Sequence, residues 1–360
     1  MLSASDRRTA SSRTSSSAEA PDPQRRALLA ATLVALASAA TGCGAPPPPV
    51  TKPEGKPEPP LAVPSLEALL PLAGLRWIVL ANPREITSIP WLVPFVATVI
   101  PEARFDRFAR GTAVDLRRTP EAIIASYTTS EGDALVELVR HVSDPRTVER
   151  AFRDRLSAGA TRAVDRHDLV RVSGKIGRSP HAFAAIGADV ACFQQAGSLA
   201  RGPCRIATLF ARGALARAAR ALDEPSLRAL AERLGPAPAR AFALGPFEGE
   251  LARGARGLLA AATAIGAAAR PSAREGILLS VAVAGDFSRT GEAASEELAA
   301  AWRDLAEGSF GHLLGLDAPV TAPLSTHAPD AVAFMVELDP RKLAKGLADA
   351  TSSEIDQIMR

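Results

Sequence analysis

Residues capable of catalysis occur in this sequence, but their spacing matches no complete catalytic or metal-binding motif. Ser309 lies in Glu307-Gly308-Ser309-Phe310-Gly311, where Glu307 replaces the first glycine of a nucleophile elbow, so we interpret this segment as the end of a helix. No two histidines have H-x-x-x-H spacing, and no two cysteines have C-x-x-C spacing. The five histidines are His141, His167, His181, His312 and His327. The pattern predicts no bound metal and no cofactor, and it favours a non-catalytic protein over an enzyme.

Three polar segments have ordinary structural explanations. Residues 173–177, SGKIG, lack the spaced first glycine and the Ser/Thr after the lysine that a phosphate-binding loop requires, so they predict a turn. Residues 245–250, GPFEGE, hold two acids that suit a helix N-terminus and predict a strand-to-helix connection. His167, in the sequence DRHD, is predicted to lie in a surface turn.

Arginines are concentrated in and beside a helix predicted over Arg205–Leu222. Arg205 and Arg212 are seven positions apart and share one helical face. They form a candidate anion-binding site for a lipid headgroup or an acidic polysaccharide. A solvated face, with its charges balanced by acids elsewhere, is the alternative.

The chain has three cysteines, and two of them form a candidate disulfide. Cys192 and Cys204 are an even pair, which in an oxidising compartment predicts a bridge. Chain-entropy reasoning gives this bridge roughly 2–3 kcal/mol of stabilisation. Two buried free thiols are the alternative. The third cysteine, Cys43, follows an apolar segment near the N-terminus.

That apolar segment has the organisation of an export signal. Arg25 and Arg26 precede the uncharged run Ala27–Ala40. The run is too short for the ~30 Å hydrocarbon core of a membrane, which needs about 20 residues, and it suits a cleaved signal peptide. It ends in Ala40-Thr41-Gly42-Cys43, which resembles the lipobox of bacterial lipoproteins, with Ala40 at the position where that family usually has Leu.

The resemblance implies that Cys43 is lipidated and becomes the first residue of the mature chain. The protein would then be anchored in the bacterial cell envelope, at the periplasmic face or the outer membrane, and its lipid would be its contact with the membrane. An ordinary secretory signal cleaved after Ala37-Ser38-Ala39, which would give a secreted soluble protein, is the alternative. Residues 24–29, QRRALL, also resemble a loose twin-arginine signal, so the export route stays open.

A proline-rich tether is predicted to follow the anchor. Gly44–Pro64 contains nine prolines and almost no large apolar side chains, so it favours polyproline II over a packed fold. At ~3.1 Å per residue it would reach roughly 60 Å from the membrane.

Net charge and aromatic content argue against two classes of binding partner. The net charge is +3, and the leader 1–42 holds five arginines and three acids, so the rest of the chain is close to neutral at +1. This charge argues against nucleic acid as a partner. The chain has only one tyrosine and three tryptophans. This scarcity argues against an aromatic platform on which sugars or bases would stack.

The fold class predicted for the rest of the chain is α+β, with two similar modules that each form a mainly antiparallel sheet covered by helices. The predicted boundaries are 1–42 for the leader, 43–64 for the lipidated cysteine and tether, and 65–235 and 236–360 for the modules.

A tandem repeat of sequence features supports the two modules. Arg76–Glu85 is similar to Arg240–Glu248, and residues 151–154, AFRD, are similar to residues 301–304, AWRD. Phe152 and Trp302 are therefore expected to be equivalent buried anchors. The remaining correspondences pair the strands Ala122–Thr128 and Ile277–Ala284, the strands Ala188–Gln194 and Ala331–Leu338, and an apolar helix in each half, Pro90–Ile100 and Glu248–Ala268.

Several elements are predicted by local signals. Ala122–Thr128 and Ala134–Val142 form a hairpin, and Asp144-Pro145 begins a helix that runs to about Leu156. A helix over Ser226–Leu234 is expected to be capped by Asp223 or Ser226.

These features together predict a membrane-tethered lipoprotein of the cell envelope that binds a ligand or partner, or acts as a scaffold, without catalysis. An envelope protein or an anionic envelope polymer is the expected partner. An exported hydrolase with dispersed active-site residues is the main alternative, and a lipid-binding module with an apolar cavity is a further one. A pocket that gathers a histidine, an acid and a nucleophile would favour the hydrolase, whereas an apolar groove would favour binding.

Overall fold

Antiparallel strand pairing organises this protein. The computed structural model describes residues 61–157, 159–165, 169–253 and 255–358, with the side chains of 250, 251 and 351–358 left out. Cys43, the tether up to residue 60 and His167 lie outside the described residues. Within them, twelve strands form one sheet in which every neighbouring pair is antiparallel, so the α+β class is confirmed.

The strands are numbered in chain order, and the sheet order is β11-β12-β10-β9-β8-β1-β2-β3-β7-β6-β5-β4. Their bounds are β1 Leu75–Ala81, β2 Ala122–Thr129, β3 Gly132–Arg140, β4 Thr161–Val164, β5 Val170–Ile176, β6 Ser179–Ile186, β7 Val190–Gln195, β8 Ala239–Leu244, β9 Ala262–Pro271, β10 Ile277–Gly285, β11 Leu324–Ala328 and β12 Ala331–Leu338.

The α-helices lie between these strands and at the C-terminal side of β12. Their bounds are α1 Pro83–Ser88, α2 Val93–Val99, α3 Glu102–Thr112, α4 Pro145–Arg153, α5 Pro203–Ala211, α6 Pro225–Leu234, α7 Gly249–Arg253, α8 Gly291–Glu307, α9 Ser309–Leu314 and α10 Pro340–Ile358. A 3₁₀ helix, Leu66–Leu69, begins at Ser65, whose side chain accepts a hydrogen bond from the Glu67 N–H as an N-cap.

The segments 65–235 and 236–360, which were predicted as two modules, contribute strands to one sheet and are joined there by the β1–β8 pair. Read outward from β1, the order is β1-β2-β3-β7-β6, and read outward from β8 it is β8-β9-β10-β12-β11. β5 and β4 extend the first side only. In the β1–β8 pair Ile78 stands directly opposite Phe242, and both side chains are buried.

The sheet separates three apolar cores because side chains alternate between its faces. On face 1, the large central core includes Ile78, Phe242 and Cys192 and is covered by α5, α6 and the 3₁₀ helix. Face 2 carries two smaller cores at its opposite ends, one under α3 and α4 and the other under α8 to α10. The centre of face 2, on β1, β8 and β9, lies between these two cores.

Phe152 and Trp302 occupy comparable places in the two smaller cores. Phe152 on α4 contacts Phe193 on β7, with ring centroids 6.0 Å apart. Trp302 on α8 contacts Phe334 on β12, with centroids 5.0 Å apart. Both side chains are buried, as predicted. In chain order α4 follows β3, the third strand of residues 65–235, and α8 follows β10, the third strand of residues 236–360.

The largest correction concerns Glu248–Ala268, which was predicted to be an apolar helix. Only Gly249–Arg253 is α-helical there, and Ala262–Pro271 forms β9 in the middle of the sheet. Every second residue of β9 from Ala264 to Ala268 is buried on face 1. A Cβ on Gly266 would lie 2.9 Å from Leu234 of α6, so this strand needs small side chains where α6 crosses it. Tertiary packing therefore overrides the helix propensity of alanine. By position, β9 corresponds to β2 and β10 to β3, one strand away from the predicted correspondence.

Other differences are local. The helix predicted over Pro90–Ile100 is α2, but it is partly exposed, and Pro94 lies in its first turn, where proline causes no kink. α5 ends at Ala211 rather than Leu222, and Glu224 occupies the N-cap of α6 without a side-chain hydrogen bond, so neither Asp223 nor Ser226 caps it. The SGKIG segment, predicted as a turn, belongs mostly to β5 and turns only at Gly177.

The last residues of the predicted tether belong to the fold. Val63 is buried, and its carbonyl accepts a hydrogen bond of 2.9 Å from Arg140 Nη2. A Cβ on Gly187, whose φ is positive, would lie 2.3 Å from the Leu61 carbonyl oxygen, so the chain passes close to this turn. The chain therefore joins the sheet before Ser65.

Candidate functional site

The predicted disulfide partners lie next to each other in the central core. Cys192 is on β7 and Cys204 is in the first turn of α5, and the Cys204 thiol donates to the Cys192 carbonyl oxygen at 3.5 Å. Both are buried free thiols in this structure, and burial raises the pKa of Cys192 well above its usual value. The proximity is as expected, and the bridge itself stays a prediction.

The candidate anion-binding arginines converge on one carboxylate. Asp165 Oδ2 lies 3.2 Å from Arg205 Nη1 and 3.8 Å from Arg212 Nη1, and Arg171 Nε donates to the same oxygen at 3.1 Å. Burial acts to raise the pKa of Asp165, but the three guanidinium groups outweigh it and lower that pKa. Among the described residues, one carboxylate faces three cations here, so this set of side chains has an excess of positive charge.

The described histidines belong to no candidate metal site. Among the described residues there is no group of three or more His, Cys, Asp or Glu side chains placed to hold a metal ion. His141 is buried with Nδ1 3.0 Å from the Ser143 carbonyl oxygen, and burial lowers its pKa. Gly308 caps the end of α8, as expected for the segment around Ser309.

An apolar cleft of about 270 Å³ opens between α2 and α10 on face 2. Phe95 and Val99 line it from α2, and Leu343 and Leu347 line it from α10. Its floor is formed by the ends of the central strands, including Ala239 of β8 and Ala269 of β9. Arg270 is the one charged residue among the described residues lining the cleft, and its guanidinium donates to the Leu234 carbonyl.

The cleft floor continues as an open apolar groove along the centre of face 2. Two residues further along the same strands, Ala241 and Ala267 line a shallow depression together with Trp77 and Val79. Trp77 is 38% exposed and Val79 36%. The small alanine side chains lower the floor of the groove between the helices that cover the two ends of this face. We call the cleft and this depression together the apolar groove.

A second, polar pocket of about 260 Å³ lies over β3, β7 and β6 on face 2. Glu137, His181 and Gln195 point into it from these three strands, and Arg155 approaches from the end of α4. Phe108, Phe152 and Phe193 supply its aromatic walls. Desolvation raises the pKa of Glu137 to about 7 although Arg155 acts to lower it, and burial lowers the pKa of His181.

Sequence reasoning missed both cavities for the same reason. The residues lining each of them come from distant segments, and they meet only through the sheet register. The alternation Ala239, Ala241, Ala243 marks a strand with small side chains on one face. That alternation could have been found, but its meaning depends on recognising β9 as the neighbouring strand.

Comparisons with known proteins give a distant likeness. No family model matches the chain, and no curated protein matches it by sequence. Three crystal forms of TP0453 match this chain over 80% of its length. Form III is matched over 99% of its own chain, with 12% sequence identity and a TM-score of 0.47. Form IV is matched over 97%, with 9% identity and a TM-score of 0.46, and form I over 98%, with 11% identity and a TM-score of 0.43. At TM-scores below 0.5 the likeness carries no argument about function.

Among the described residues, no helix is both long enough and apolar enough to span a membrane.

Proposed function

We propose that this protein is a tethered, non-catalytic component of the bacterial cell envelope that holds the acyl chain of a lipid in its apolar groove. The carrying observation is the groove between α2 and α10, lined by apolar side chains and open to solvent along face 2. A contiguous apolar surface that is exposed to solvent commonly marks a binding site.

The shape of the groove favours a chain-like ligand. From Ala239 to Ala243 the floor follows four residue steps of β8, which is about 13 Å at ~3.3 Å per residue. Apart from Arg270, whose guanidinium donates to the Leu234 carbonyl, the described residues that line the cleft are uncharged, so most of its surface suits an apolar ligand. An acyl chain satisfies both conditions because it is long, narrow and without hydrogen-bonding groups.

The alternative of a hydrolase is supported less well. The polar pocket holds Glu137, His181 and Ser179, which are an acid, a base and a hydroxyl. A serine nucleophile requires a hydrogen bond to its base. No such bond joins Ser179 and His181 within the described residues.

Ligand binding is tested by placing a charge in the groove. Val99→Asp puts a carboxylate against an apolar ligand, and its desolvation opposes binding. The full-length protein carries Cys43→Ala so that any lipid recovered is bound noncovalently, and lipids that copurify from bacterial cells are extracted and identified by mass spectrometry. We expect acyl lipid with the parent and at least a tenfold loss with Val99→Asp.

Val93→Asp is the matched control, because Val93 lies on the same helix but is exposed and outside the cleft. It should keep the lipid. Absence of lipid from the parent, or equal lipid with Val99→Asp, would contradict the proposal.

The lipid anchor on Cys43 is part of the same proposal, and the resemblance of residues 40–43 to a lipobox supports it. Labelled palmitate fed to cells should be incorporated into the wild type and not into Cys43→Ala, and the wild type should fractionate with membranes. Equal labelling of both proteins, or a mature N-terminus at Ala40, would overturn the anchor.

We further propose that the arginine group around Asp165 binds an anionic envelope polymer or an acidic envelope protein. Three guanidinium groups facing one carboxylate leave an excess of positive charge, which supports an anionic partner. Arg205 and Arg212 are the residues that would contact it.

We also propose that segments 65–235 and 236–360 are two copies of one module. Their matching strand order outward from β1 and β8 supports this, as do the comparable positions of Phe152 and Trp302. In a duplication the two copies would be related by an axis passing between Ile78 and Phe242, which face each other.

A further inference from the structure

The polar pocket over β3, β6 and β7 combines a carboxylate with aromatic walls. The rings of Phe152, Phe183 and Phe193 form one cluster, with centroids 5.3 to 6.0 Å apart. Glu137 stands directly opposite Phe193 in the β3–β7 register, so its carboxylate lies beside this cluster. The pocket thus places a carboxylate beside aromatic side chains, with Arg155 as the cation that faces the same carboxylate.

The other polar groups of the pocket include acceptors that are not otherwise used. His181 stands opposite Gln195 in the β6–β7 register, and Ser179 lies two residues before His181 on the same face. None of these three side chains makes a hydrogen bond to another of the described residues. Burial keeps His181 neutral at physiological pH, so one of its ring nitrogens is an acceptor.

We propose that this pocket binds a small organic ammonium ion carrying an apolar group, with Glu137 as its counter-ion and the rings of Phe152 and Phe193 as its aromatic wall. Ammonium ions are attracted to aromatic faces and to a desolvated carboxylate, and both are present here. The pocket is distinct from the apolar groove, which lies along the centre of face 2, and is at the end of that face covered by α3 and α4. This proposal does not depend on the lipid-binding function.

The charges around Glu137 define how binding should respond to pH. Arg155 faces it from the end of α4 and His181 from β6, and the thiol of Cys192 lies on the neighbouring strand. Phe108 and Thr112 of α3 complete the wall without charge. Because the pKa of Glu137 is raised to about 7, it is mostly protonated at pH 6 and mostly ionised at pH 8. A cation should therefore bind about tenfold more tightly at pH 8 than at pH 6.

Calorimetric titration of the full-length protein with three matched probes tests the proposal. Benzylamine is cationic from pH 6 to 8, benzoate is anionic and benzyl alcohol is neutral, so the charge changes while the ring stays. We expect benzylamine to bind at least tenfold more tightly than the other two at pH 8. Glu137→Gln, which keeps the shape, should lose at least tenfold in benzylamine affinity.

Glu131→Gln is the control, because Glu131 is an exposed residue of the β2–β3 turn, and its benzylamine affinity should equal that of the wild type. The pH comparison on the wild type needs no variant, so a folding defect in Glu137→Gln cannot hide the result. Benzoate binding as tightly as benzylamine, affinity independent of pH, or no binding of any probe would each overturn the proposal.

Discussion

At the residue scale, the central core contains one polar group that its surroundings do not satisfy. Tyr127 on β2 is fully buried, and its hydroxyl has no hydrogen-bond partner among the described residues. Desolvation raises its pKa, so it stays un-ionised. An unsatisfied buried hydroxyl costs about 1–3 kcal/mol, whereas the ring contributes to packing.

Tyr127→Phe should therefore leave the protein as stable or raise its free energy of unfolding by up to about 1–3 kcal/mol. Urea unfolding of the variant and the wild type measures the difference. A loss of more than about 1 kcal/mol would show that the hydroxyl has a bonding partner in solution.

At the element scale, helices α4 and α8 depend on one large aromatic side chain each. Phe152→Ala and Trp302→Ala each remove a buried ring and should lower the free energy of unfolding by roughly 3–5 kcal/mol. Leu305→Ala, on α8 but 46% exposed, is the control and should change it by less than about 0.5 kcal/mol. Chemical denaturation of the three variants decides the matter, and a small effect of either aromatic variant would argue against equivalent modules.

Local signals predicted the elements that are specified by local chemistry. The β2–β3 hairpin follows from its alternating side chains and the Gly132 turn, and α4 begins where Asp144 accepts a hydrogen bond from the Thr147 N–H. The prediction failed for β9, because alanine favours helices in isolation and only the neighbouring strands and α6 select a strand. β6 was missed for a similar reason, since its buried residues include both alternating faces and lack a simple period.

The candidate sites were predicted less completely than the fold. Arg205 on α5 and Arg212 at the C-cap of α5 were recognised by spacing, whereas Asp165, which joins them, follows the end of β4. Glu137 is an ordinary polar residue of an alternating strand in the sequence. Its raised pKa comes from desolvation, because residues of α3 and α4 cover it.

At the scale of the whole molecule, Glu137 should make stability depend on pH. In the unfolded chain this group titrates near 4.5, but in the fold its pKa is about 7. Between these values the folded protein holds more protons, so the free energy of unfolding should fall as pH rises from about 4.5 to 7.

Glu137→Gln should remove this fall, and the difference in melting temperature between variant and wild type should grow from pH 5 to pH 8. The difference is the quantity to measure, because His141 and His181 have lowered pKa values and contribute the opposite slope. A constant difference across this range would contradict the raised pKa of Glu137.

The β1–β8 pair has a consequence for how the chain folds. Most other neighbours in the sheet are close in sequence, as in β2–β3, β5–β6 and β11–β12, but Ile78 and Phe242 are about 160 residues apart. Contacts of such long range form slowly because a large loop must close first. We expect the strands on each side to assemble before this central seam closes. Until it closes, β1 and β8 are both unpaired edges with apolar side chains, and the nascent protein is most exposed to aggregation there.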